Sequence, residues 1–98
     1  MNHLLRNLVC RRLAGLDHGR LVLDDAAGRQ EFGRQEEGVL AARVEVHDAR
    51  FHGNLAFGGS LGAAEAFIRG YWTCDNLVDL VRIFCRNANV SADMEGGP

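Results

Sequence analysis

His47 and His52 lie five residues apart with Asp48 between them, and these are residue types that bind metal ions. A metal centre needs a third ligand at compatible spacing, and the chain offers none, so no metal site is expected. Cys10, Cys74 and Cys85 are odd in number and widely separated. That spacing suits neither a zinc site nor a redox dithiol, and three reduced thiols are expected. Gly58-Gly59-Ser60-Leu61-Gly62 has the glycine density of a phosphate loop. It follows a helical pattern rather than a strand, and it lacks the lysine–hydroxyl ending that such loops use. Glu65 lies among apolar residues of a helical stretch. If buried it would need a cation, and Arg69 stands one turn away. No serine, cysteine or histidine is set as a nucleophile, so no catalytic, cofactor or metal residue is assigned to this chain.

The elements that carry these residues fit one domain of 98 residues. A net charge of -2 gives no general attraction to nucleic acid, and no nucleic-acid partner is expected. All eleven basic residues are arginine. No apolar run is long enough to span a bilayer, and Arg6, Arg11 and Arg12 interrupt any signal-peptide core. The expected location is cytoplasmic, with peripheral contact at the inner membrane as an option through the basic front end.

Helical spacing of Leu5, Leu8, Val9, Arg12 and Leu13 predicts a helix over residues 3–14, stopped by Gly15. This helix would cover a sheet or lie on a membrane with its arginines in water. Strands are expected over 20–24, 29–32 and 39–47, the last with Leu40, Ala42, Val44 and Val46 on one face. Turns at 24–28 and 33–38 would join them as an antiparallel meander. Asp48 is placed to cap a short helix over 49–57 that ends at Gly58 and Gly59. Ser60 would start a helix that Gly70 stops, and Asp75 would cap a third with Leu77, Leu80, Val81 and Phe84 on its apolar stripe. The fold class is therefore α+β, a small antiparallel sheet of three or more strands against about four helices. Residues 1–89 form the domain, and 90–98 read as a disordered tail or the start of a linker.

Within this frame Gly59, Leu61, Gly62, Glu65, Gly70, Tyr71, Trp72 and Asp75 form an ordered set of glycines, a glutamate, adjacent aromatics and an aspartate. Upstream stand Val44-Glu45-Val46-His47-Asp48-Ala49-Arg50-Phe51 and, earlier, Gly28 with Phe32-Gly33. In this order, over residues 20–87, the motifs resemble the front of the cyclopropane-fatty-acyl-phospholipid synthases. Tyr71 stands where that family often has tryptophan, and Ala63-Ala64 replaces a bulkier or more glycine-rich pair.

The resemblance implies a non-catalytic N-terminal domain with a fold similar to sterol carrier proteins. Its parent enzyme would transfer a methylene from S-adenosylmethionine to unsaturated phospholipid acyl chains. The implied partners are its own catalytic domain and a phospholipid or membrane surface, and the cofactor would belong to that catalytic domain. The eight motif residues become candidates for docking or for facing lipid. The alternative is a freestanding lipid- or protein-binding module with an apolar groove beside Tyr71 and Trp72.

Overall fold

Leu21-Val22-Leu23 is an unbroken apolar run, and a strand made of it must be covered on both faces. The structure, a computed structural model that describes residues 3–34, 40–87, 89, 90 and 92, places that run inside the sheet. The element order is α1 (His3–Leu13), β1 (Arg20–Asp25), β2 (Gly28–Gly33), β3 (Ala41–Val46), α2 (Arg50–Ile68), β4 (Trp72–Cys74) and α3 (Leu77–Arg86). The four strands lie in the order β2-β1-β3-β4.

The class is α+β, as expected, but the sheet is mixed rather than antiparallel. β1 pairs antiparallel with β2 and parallel with β3, and β3 pairs antiparallel with β4. The register explains how a short connection allows this. Gly33 at the end of β2 and Ala41 at the start of β3 both lie opposite Arg20. The chain therefore needs only to change sides of β1 at one end of the sheet. Most of the second expected turn, and the start of the third expected strand, lie outside the described residues.

Pleat alternation separates two faces. Leu21, Leu23, Ala42, Val44 and Trp72 face the core. Arg20, Asp24, Arg29, Glu31, Arg43 and Glu45 share the other face, where Asp24 accepts hydrogen bonds from both Arg29 and Arg43, at 2.9 and 2.6 Å. Val22 shares this face and is buried, at 7% exposure.

The helices close the core from the other side of the inner face. Val9 and Leu13 of α1, Phe51, Ala56 and Ala66 of α2, and Leu80 and Ile83 of α3 are all buried there. The two helices expected on either side of Gly58-Gly59 are one bent element, so there are three helices among the described residues. Gly59 makes the bend with φ 58° and ψ -139°, a backbone region open almost only to glycine. Packing continues one residue past the expected domain end, since Val90 is fully buried.

Two expected helix caps are placed differently. Asp48 accepts from the Arg50 N–H at 2.9 Å, just ahead of α2. Asp75 does not cap α3. It accepts from the Arg43 N–H at 2.7 Å and ties β4 to β3. Asn76 is the cap, accepting from the Asp79 N–H at 3.1 Å. The role of buried Asn87 was not anticipated. The Asn87 side chain accepts from the N–H groups of Asp17 and His18 and donates to the carbonyls of His18 and Ile83.

Candidate functional site

The site is built where the second limb of α2 meets β4 and α3. Gly70, at φ 79°, ends α2 in a Schellman arrangement: its N–H reaches the Phe67 carbonyl and the Tyr71 N–H reaches that of Ala66. This reversal sends Tyr71 and Trp72 back along the helix they have just left. Trp72 then runs as β4 against Val46, and its indole N–H donates to the Ala63 carbonyl at 2.8 Å. Phe67 meets the indole edge-on, with ring centroids 5.0 Å apart.

Trp72 forms the floor of an apolar groove of about 450 Å³. Ala63, Phe67 and Ile68 line one side of it, and Leu77, Val81 and Phe84 line the other. The expected α3 stripe is therefore split. Leu80 is buried, Phe84 is partly buried, and Leu77 and Val81 stay open at 44% and 56% exposure. Ile83, outside that stripe, joins Leu80 in the core. Cys85 also lines the groove and is an exposed free thiol. Cys10 and Cys74 are partly buried, and burial pushes both thiols above their ordinary range.

The eight motif residues divide among three places. Trp72 alone lines the groove. Leu61, Gly62, Glu65 and Tyr71 border a shallower hollow on the opposite side of α2, together with Arg50 and Asn54. There Leu61 is 69% exposed, and the Arg50 guanidinium stacks 4.7 Å above the Tyr71 ring. Glu65 is exposed, so the condition that would have required a buried cation does not arise. Gly59, Gly70 and Asp75 shape the backbone. Sequence periodicity did not single out Ala63, Phe67, Ile68 and Val81 as a group.

His47 and His52 are not brought together as a pair of ligands. His47 is exposed and bonds to the Thr73 hydroxyl at 2.8 Å, while His52 is buried against Asp25 at 3.2 Å. Among the described residues no group of three or more histidine, cysteine or carboxylate side chains is placed to hold a metal ion. Gly58–Gly62 forms the bend of α2 rather than a loop between strand and helix. Its residues therefore do not fit the phosphate- or sugar-cradling role of a cofactor loop. No helix among the described residues is long and apolar enough to cross a membrane. No family model, curated protein or solved structure matches the chain.

Proposed function

We propose that this chain is the non-catalytic N-terminal domain of a cyclopropane-fatty-acyl-phospholipid synthase-like enzyme, and that the groove between α2 and α3 holds one fatty acyl chain. The observation that carries this reading is the apolar groove itself, walled by aromatic and branched side chains and floored by the chain's single tryptophan. At roughly 30 Å³ per non-hydrogen group, the volume one water occupies in the liquid, its 450 Å³ takes about fifteen such groups, the scale of a long acyl chain.

Affinity follows from the same contact. Burying roughly ten to fourteen methylenes is worth about 8–11 kcal/mol. Association costs at least about 4 kcal/mol, so the Kd is no tighter than about 10 µM, or about 1 mM where ten methylenes are buried. That is weak enough to release lipid to a catalytic partner. The hollow bordered by Leu61, Glu65 and Tyr71 is the face we assign to that catalytic domain, which would bring S-adenosylmethionine and the reacting groups. The chain's own part is to hold lipid, and no methyl transfer is expected from it alone.

Two native reporters test the groove. Titration with a cis-unsaturated fatty acid below its micelle concentration should shift the Trp72 emission to saturation. It should also slow alkylation of Cys85 relative to the unliganded protein. A saturable Trp72 response that survives Val81→Glu unchanged would count against the groove as the site.

A further inference from the structure

Asp25 is the one carboxylate that strand alternation turns toward the inner face of β1, beyond Leu21 and Leu23. Its side chain is 6% exposed. The fold meets this cost with two partners from different helices. Arg6 of α1 donates through Nε to Asp25 Oδ2 at 2.6 Å, and His52 in the first turn of α2 approaches the same oxygen through Nε2 at 3.2 Å. The Ala27 N–H donates to the other oxygen at 3.0 Å. Two buried atoms of this cluster, Arg6 Nη2 and His52 Nδ1, have no partner among the described residues.

The arrangement suits a neutral imidazole. With Nε2–H donating to Asp25, Nδ1 presents a lone pair and adds no charge. A charged imidazole would compete with Arg6 for one oxygen and would bury a second unpaired donor beside a guanidinium that already has one. The other titratable groups nearby give little relief. Cys10, one turn along α1, is kept neutral by burial. His47 and Asp48 line the same small pocket as the cluster, and Asp48 is committed to Arg50 at 2.8 Å. Among the described residues, Arg6 is the ionic link from the cluster to α1. The rest of that helix is held by Val9 and Leu13 in the core and by Arg12 Nη1 donating to the Ala56 carbonyl at 3.2 Å.

We propose that Arg6, Asp25 and His52 form a proton-operated latch, which holds α1 against β1 and α2 while His52 is neutral and loosens it when His52 takes a proton. The direction agrees with the titration of the group. Burial outweighs the pull of Asp25 and holds His52 below its ordinary 6.5. The closed form therefore binds the proton less well than the opened one. Closure is at full strength above about 6.5 and weakens as pH falls from there toward the lower value of the closed form.

The test is amide hydrogen exchange on the whole chain, from pH 7.5 to 5, read as protection factors so that the intrinsic pH dependence cancels. Protection of residues 4–13 should fall by up to about tenfold per pH unit below 6.5, the limit for one proton, while Leu21–Leu23 and Ala42–Val44 keep theirs. His52→Gln, which can donate to Asp25 but does not titrate, should hold α1 protection flat across the range. Protection of α1 that is independent of pH in the wild type, or that falls in step with the sheet, overturns the latch. So does a pH response that persists in His52→Gln. If that variant does not fold, the wild type decides alone through the His52 imidazole NMR titration. A midpoint well below 6.5 supports the latch, and one at or above 6.5 overturns it.

Discussion

Gly62→Ala is the sharpest test of how the motif shapes the site. An added Cβ at residue 62 would stand 1.9 Å from the Asn54 carbonyl oxygen and 2.8 Å from its carbon. Ordinary carbon–oxygen approach is about 3.3 Å, so the two limbs of α2 would have to part by roughly 1.4 Å. The obstacle is backbone, not the tip of a flexible side chain, so it cannot swing away. Overpacking of this kind costs about 1–3 kcal/mol, and the upper half of that range is expected here. At 4–8 °C per kcal/mol for a domain of this size, Tm should fall by about 10–20 °C. Gly58→Ala is the internal control. It meets nothing within 4 Å and gains helix propensity, so it should leave stability unchanged or raise it by up to about 1 kcal/mol. Thermal and urea unfolding followed by circular dichroism measure both. Equal effects at the two glycines, or an unshifted Gly62→Ala, would refute the close approach of the two limbs.

Trp72→Phe keeps an aromatic floor but strands the Ala63 carbonyl, and urea unfolding should show a loss of about 1–2 kcal/mol. Asn87→Ala leaves four backbone groups, one buried and three partly buried, without their side-chain partner and should cost about 3 kcal/mol by the same assay. For Asp25, burial raises the carboxyl, but the hydrogen bond and charge of Arg6 with the Ala27 N–H and His52 outweigh it, and the net position is below the ordinary 3.8. Its contribution is complete above that value and is lost as pH falls below it, a second acid transition separate from that of His52 and absent in Asp25→Asn. That variant should itself lose about 3 kcal/mol at neutral pH, because Arg6 stays buried without its counter-charge.

What the chain wrote locally could be read from it. The Leu5–Leu13 stripe, the alternation of Ala42 and Val44 with Arg43 and Glu45, and the Gly70 stop all depend on neighbours within a turn or two. The parallel pairing of β1 and β3 does not. It is a choice of side for β3, and a turn reading defaults to a meander. The cue was present in Leu21-Val22-Leu23, which only a central strand can bury on both faces, beside the mostly polar β2, which suits an edge. β4 spans three residues, too short for a period to show. Asp75 and Asn76 are equally able caps, and the draw of the Arg43 N–H decides between them. A helical stripe reports which residues share a face but not whether anything covers it, so the open groove along α3 read as core. Asn87 and the Arg6–Asp25–His52 cluster are assembled across separations of 19 to 70 residues. Asp25 could have been flagged, because it shares a pleat face with Leu21 and Leu23.

The lipid-holding role is tested most directly by binding a fatty acid that carries a nitroxide on its chain to isotope-labelled protein, and mapping the loss of amide signal. The account predicts saturable bleaching centred on Ala63, Phe67, Trp72, Val81 and Phe84, reversed by an excess of unlabelled fatty acid. Bleaching centred on Leu61, Glu65 and Tyr71, or spread evenly over the surface without saturation, would contradict it.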